Sequence, residues 1–442
     1  MDRRSFLKNF GVVSLATLAS GSRTRAAEPT EKDDRPVGRR NESIEKARQA
    51  ALDVLKPNRR DLQHGLELHG ASLVFESYGF SPRAALAVET YQKAAETGAL
   101  AIELEDLREE MSMTRCVTDP AQRSEYLEAW KASGVTCIFQ NAGEESQAPL
   151  RIMKRLARFT YVTDALRNHV SKAVTPDDVV AAHQAGRHCL CFSTNGVPLK
   201  QAWESVENEL EYLRIFFQLG VRMMHITYNR RNMLGDGCGE PNDGGLSDFG
   251  RACVAEMNRL GVIPDVAHSG WQTSFDTAKA SRRPAVASHS ACDSVHHHVR
   301  AKPDRVIKAL CDTGGTIGIC CIPSFLGGSG DLNAMLDHIV YAVKRFGADH
   351  VTIGTDVAYS AAAKPAKDRP MPKRDPSRPR WEKLWPADAF KLPGTHPSMA
   401  WTNWPMFTVG MVQRGLADDE IQKILGGNVL RVLRASLSGS AQ

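Results

Sequence analysis

The chain has 442 residues, of which 42% are hydrophobic and 24% charged, a composition that supplies a large buried core and excludes a low-complexity or disordered protein. The formal charge of +5 is concentrated at the start: residues 1–27 hold Arg3, Arg4, Lys8, Arg23 and Arg25 against Asp2, and without them 51 basic residues face 50 acidic ones. A near-neutral remainder excludes electrostatic binding of nucleic acid or of an anionic membrane surface.

In chain order, Arg3-Arg4-Ser5-Phe6-Leu7-Lys8 precedes an apolar run at 10–19, and Ala26-Ala27 follows. These are the three parts of a cleavable export signal, and the paired arginines resemble the twin-arginine kind. Gly11 and Ser14 interrupt the run, which is too short to span a bilayer. The expectation is an exported protein, periplasmic or extracellular, with no membrane span once the signal is removed. Residues 28–45, charged and holding Pro29 and Pro36, predict a loose leader before a single domain at 46–442.

From there one rhythm repeats: a short apolar run ending on a polar residue, then a longer amphipathic stretch. The runs fall at 66–69, 135–141, 188–195, 223–228, 264–268, 284–289, 316–321 and 351–356. Eight such runs predict a closed parallel (β/α)8 barrel. A doubly wound open sheet is the alternative, but no G-x-G-x-x-G follows any run. Thr175-Pro176-Asp177-Asp178 predicts one helix start, and Ser247-Asp248 predicts another that stops at Gly261.

Two segments break the rhythm. Residues 76–133 predict a helical insertion after the first strand. Residues 357–400, rich in Pro, Lys and Arg with Trp381, Trp385 and Trp401, read as a lid-like loop over the catalytic face or as a solvated loop. None of the ten cysteines forms a C-x-x-C pair, so buried free thiols are expected rather than a zinc knuckle or redox motif.

His69, His268, His289 and Asp356 each end a run, and in a barrel those ends converge on one pocket. Imidazoles and a carboxylate are the ligands of a zinc-like ion. One strand-end histidine is more often structural than a ligand; four convergent candidates reverse that preference. The period of two places His268 with Val266 and turns Asp265 away, and it places Tyr228 with Ile226 and turns His225 toward the helices. His296-His297-His298 and the acidic stretch Glu103, Glu105, Glu109, Glu110 read as solvated surface.

Several long motifs occur in order: Gly244-Gly245-Leu246-Ser247-Asp248-Phe249-Gly250, the stretch from Glu256 to His268, and Pro284-Ala285-Val286-Ala287-Ser288-His289-Ser290. Asp337-His338-Ile339, the stretch from Gly347 to Asp356, and Ile424-Leu425-Gly426-Gly427-Asn428-Val429-Leu430-Arg431-Val432-Leu433 continue the series. Together, over roughly residues 135–435, they resemble the membrane (renal) dipeptidases; residues 60–75 match weakly. The resemblance implies a (β/α)8 barrel of the metal-dependent hydrolase kind, with two zinc ions joined by a bridging glutamate and a metal-bound hydroxide that attacks a dipeptide. It makes His268 and His289 ligands of one zinc, Asp356 the acidic ligand of the other, and Arg300 the holder of the substrate carboxylate. His69 becomes the first residue of an H-x-D pair. The chain departs from that pattern at Ala71, where the aspartate of the pair would stand, at Asn195 in place of the bridging glutamate, and at Tyr228 in place of a histidine.

Three readings stay open. In the first, the chain is a hydrolase with one zinc ion, two being the alternative, bound by His268 and His289 with Asp356, His69 or Asn195 completing the set. Asp356 is then the base, Tyr228 a donor to the developing oxyanion, and Arg300, Tyr228 and Asn195 contact a dipeptide or similar small amide. The resemblance also implies a homodimer. In the second, the chain is a non-catalytic descendant that binds a small ligand; in the third, it hydrolyses a different amide or a lactone.

Overall fold

The computed structural model describes residues 41–143, 149–362 and 394–438. The chain divides into two units, Met1–Asn41 and Glu42–Gln442, and the second carries the fold. The export signal, and with it Trp381 and Trp385 of the 357–400 loop, lies outside the described residues. No helix among the described residues is long and apolar enough to cross a membrane.

Among the described residues, nine strands alternate with helices: β1 (Phe75–Gly79), β2 (Cys137–Asn141), β3 (Val170–Lys172), β4 (His188–Thr194), β5 (Val221–His225), β6 (Ile263–Asp265), β7 (Ala287–Ser290), β8 (Ile317–Ile319) and β9 (Val351–Ile353). All pairs are parallel, in the orders β1-β2-β4-β5-β6 and β7-β8-β9, with the short β3 added beside the start of β4. A parallel bridge between Asp265 and Val286 joins β6 to β7. Thr352 Oγ1 donates to Ser77 Oγ at 3.2 Å and Asp356 N to Tyr78 O at 3.4 Å, which brings β9 against β1. Eight strands therefore curl into the expected closed parallel barrel.

The strand period sorts the core into two layers. Ile138, Leu190, Phe192, Met224, Ile319 and Ile353 pack outward into one cluster with the helices. Phe75, Cys137, Phe139, Cys191, Met223 and Ile263 point inward, floored by Val429, Val432 and Leu433 of the helix Asn428–Leu437. The helix starts form as their residues dictate. Thr175 Oγ1 accepts from Asp178 N at 3.2 Å while Thr175 N donates back to Asp178 Oδ2 at 2.8 Å. Ser247 caps the helix Asp248–Leu260, which ends at Gly261 with φ of 86°.

Four expectations are corrected. Residues 66–69 are not a strand but part of the helix Arg59–Ala71, capped by Asn58. Gly65 lets that helix press on the helix Trp404–Gln413, since a Cβ there would lie 2.6 Å from Val409 Cα. The first barrel strand is Phe75–Gly79, so all but its first residue falls inside the segment assigned to an insertion, and the three helices Val88–Glu96, Ala101–Thr118 and Pro120–Ser133 follow it. The helix Glu42–Leu55 begins within the stretch expected to be a loose leader. Trp401, expected in a loop, is core: it is 1% exposed, meets the Trp130 ring edge-on at 5.2 Å and donates to Glu76 Oε2 at 2.8 Å. All ten cysteines are free, and all but the half-buried Cys311 are buried.

Candidate metal centre

Three imidazoles meet at the carboxyl ends of the strands. His225 closes β5, His289 lies on β7, and His268 follows β6 in a turn. All three are buried, and their available ring nitrogens lie within 4.8 Å of one another. Each Nδ1 is fixed: His225 Nδ1 to Thr194 O at 2.7 Å, His268 Nδ1 to Asn229 Oδ1 at 2.7 Å, and His289 Nδ1 to Ser288 Oγ at 2.9 Å. A carbonyl oxygen only accepts, so His225 carries its proton on Nδ1 and its Nε2 is a lone pair. The amide oxygen of Asn229 sets the same tautomer on His268. Outer hydrogen bonds of this type aim Nε2 lone pairs at a cation.

The Nε2 atoms converge. His225 Nε2 stands 3.0 Å from Asp265 Oδ2, and neither atom has a hydrogen-bond partner. His268 Nε2 and His289 Nε2 are 2.9 Å apart. Burial first, then the nearby Arg300, holds both of these histidines well below the ordinary imidazole range, and burial lowers His225 against the pull of Asp265. Neutral imidazoles with converging ring nitrogens beside an orphaned carboxylate oxygen are the donor set of a divalent transition-metal ion. The residues fit zinc.

Around this group stand aromatic and charged side chains. Tyr78 stacks on His289 at 3.8 Å between centroids and donates to Asn195 Oδ1 at 2.6 Å. Tyr228 stacks on His268 at 4.1 Å. Arg300 is buried; its Nη1 donates to Ala267 O, its Nη2 lies 3.3 Å from His268 Nε2, and its face covers Phe325 at 5.0 Å. Asp356 has a left-handed backbone, φ 59°, strained for a non-glycine residue. Although the side chain keeps partial exposure, surrounding protein pushes its carboxyl up to about 6 against the opposing fields of Arg300 and Arg83. Its turn is held from behind by buried Glu76, whose Oε1 accepts from both Thr355 N, at 3.1 Å, and Thr355 Oγ1. Burial raises Glu76 to about 8.

The structure thus brings together His268, His289, Tyr228, Asn195 and Arg300, while Asp356 lies at the same end of the barrel but outside the three-histidine group. His69 is elsewhere. It lies before β1, at the amino end of the strands, with Nδ1 2.9 Å from Thr408 Oγ1 and Nε2 2.8 Å from Ser133 O. A histidine with both nitrogens engaged on a helix at the far end of the barrel is structural, so its proposed ligand role is withdrawn. His225 and Asp265 are the converse correction. β5 ends at His225, so the inward phase set by Met223 continues to 225, whereas Tyr228 lies beyond the strand where a period of two no longer applies. Asp265 points inward with Ile263 for the same reason. Counting from the start of each strand would have found both. Two solvated readings also change: His298 is buried against Phe325, and Glu109 is buried among Arg151, Arg155 and Arg158.

A closed parallel barrel with buried imidazoles gathered at the carboxyl end of its strands is the architecture of barrel metallohydrolases. Residues 105–368, more than half of the chain, match the membrane dipeptidase family (peptidase family M19), and the chain belongs to that family. It is similar to dipeptidase tcpJ of Claviceps purpurea, with 28% identity over 278 residues, 62% of this chain and 57% of that protein. It is also similar to dipeptidase verJ of Clonostachys rogersoniana, with 28% identity over 264 residues. The chain spans only 57% and 58% of the length of these two relatives. Among solved structures, an amidohydrolase from Pseudomonas aeruginosa superposes with a TM-score of 0.61 at 22% identity, covering 84% of this chain and 99% of that one, which speaks for the shared fold.

Proposed function

We propose that the chain is a metal-dependent hydrolase of small amides, dipeptides foremost. The observation that carries this reading is the set of three buried histidines with hydrogen-bonded Nδ1 atoms and converging ring nitrogens. A zinc ion held by His225, His268 and His289 would supply Lewis acidity, polarising a carbonyl and activating water. The remaining work falls to the chain's own groups. Asp356 accepts a proton from water at the mouth and returns it to the leaving amine. Tyr228, stacked on His268, is placed to donate to oxygen charge developing near the imidazoles. Arg300, whose Nη2 lies 3.3 Å from His268 Nε2, is placed to meet negative charge beside the imidazoles.

A neutral amide at Asn195, already bonded to Tyr78, favours one ion over two, because two close cations need an anion between them. Zinc analysis of the purified protein beside a dipeptide assay tests the reading. Zinc bound by the wild type, with turnover lost in His268→Ala, supports it; absence of zinc after loading, or turnover that survives the substitution, overturns it. Export through the paired-arginine segment is proposed on the residues at 1–27 alone, and N-terminal sequencing of the protein recovered outside the cytoplasm would test it.

A further inference from the structure

The carbonyls on either side of His268 are both held by cations from one short segment, Arg300 to Lys302, on the connection that leaves β7. Arg300 Nη1 donates to Ala267 O, and Lys302 Nζ donates to Ser269 O. Between them, Ala301 O accepts from Trp271 Nε1 at 2.9 Å. Three consecutive residues thus grip the turn that carries His268 and the start of the helix Trp271–Ala280 that follows it. Their own backbone is fastened to the end of the strand that carries His289: Lys302 N donates to Ala291 O at 2.8 Å, Asp293 N to Lys302 O at 3.0 Å, and Ser290 Oγ to Arg300 O at 2.6 Å. The segment is a strap between two of the three histidines. Thr227 Oγ1, two residues beyond His225, donates to Ser269 Oγ at 2.9 Å and joins the third to the same turn.

Lys302 is the costly member of the strap. Its side chain is fully buried, and among the described residues its ammonium makes no ion pair: it donates to Ser269 O and, at 3.1 Å, to Ser274 Oγ. Two neutral oxygens return little of the hydration that an ammonium loses on burial, and an apolar side chain of the same length would fill the space at less cost. Stability therefore does not account for a cation here. What the ammonium adds is a charge-assisted donor aimed at the carbonyl next to His268. Lys302 also stands close enough for its charge to act on all three imidazoles.

We propose that Lys302 is a positioning residue of the metal centre: by holding the Ser269 carbonyl it fixes the His268 turn against the strand of His289, so that both imidazoles face one ion. Lys302 touches neither metal nor substrate and acts through His268. The assignment rests on the three-histidine centre proposed above and adds the part that sets its geometry. Groups that orient ligands from outside in this way tune metal affinity without contributing a donor atom.

The test titrates wild type, Lys302→Met and Lys302→Arg with cobalt(II), whose visible absorption reports the arrangement of its ligands, and follows each protein by urea denaturation. Lys302→Met is expected to fold with a urea midpoint at or above that of the wild type, since it removes a buried charge. It should nonetheless bind cobalt about 10- to 100-fold more weakly and with an altered spectrum. Lys302→Arg, which keeps a cation facing Ser269 O, should recover part or all of the affinity. Wild-type affinity and spectrum in a folded Lys302→Met overturn the proposal. If Lys302→Met does not fold, Lys302→Arg decides: a folded chain with weakened cobalt binding keeps the proposal, and wild-type binding or no folded chain overturns it. A dipeptide assay on the same samples separates the two readings. A wild type that binds cobalt but cleaves nothing, with the Lys302→Met loss of affinity intact, sinks the hydrolase and keeps this assignment. Turnover by a Lys302→Met that binds cobalt as the wild type does sinks this assignment alone, and a wild type that binds no cobalt overturns both.

Discussion

The Tyr78 phenol donates to Asn195 Oδ1 at 2.6 Å, so the residue standing where the family resemblance puts a bridging glutamate is neutral and already has its oxygen engaged. The consequence is a count. Zinc-loaded protein measured by mass spectrometry should hold about one ion per chain, and His225→Ala should reduce that count as His289→Ala does. Two ions per chain, or a full complement in His225→Ala, would reject the three-histidine centre.

Asp356 supplies a second expectation. In Asp356→Asn the shape is kept while proton transfer is lost, so kcat should fall by about 10²- to 10⁴-fold while bound zinc stays at the wild-type level. Loss of zinc in that variant would instead make Asp356 a ligand.

His69 predicts the opposite pattern. His69→Ala should leave zinc untouched but cost about 1–3 kcal/mol of stability, since it abandons the buried Thr408 hydroxyl and Ser133 carbonyl. Burial holds its folded pKa at about 4, below the ordinary 6.5. The unfolded chain therefore takes the proton first as pH falls. This contribution is fully present above 6.5 and lost progressively between 6.5 and about 4. Urea midpoints across that window should decline in the wild type and flatten in His69→Ala; parallel curves would contradict the assignment.

Glu109 tests the packing behind the mouth. Removing its carboxylate takes one ion-pair partner from each of three arginines whose side chains are 10–18% exposed, so Glu109→Ala should destabilise by about 1.5–3 kcal/mol in chemical denaturation. A change below about 1 kcal/mol would mean that water already compensates those charges.

The barrel was legible because seven of its strands read as apolar runs separated by amphipathic stretches. The eighth was hidden. Phe75–Gly79 contains Glu76, a fully buried carboxylate satisfied by Thr355 and Trp401, partners 279 and 325 residues away that no local pattern announces. The sequence 66–69 imitated a strand end because Leu66 and Leu68 alternate with polar neighbours over a span too short to separate period two from period 3.6. His268 and His289 were readable at strand ends. His225 was missed by phasing β5 from a residue beyond its end.

The cysteines have a use of their own. With nine of ten thiols out of reach of solvent and none oxidised, alkylating reagents can report on the protein only when it opens. Labelling of the nine would then advance as one block with global opening and single out any subdomain that breathes alone. The molecule carries its own set of unfolding probes, distributed from Cys116 to Cys321 without a single engineered substitution.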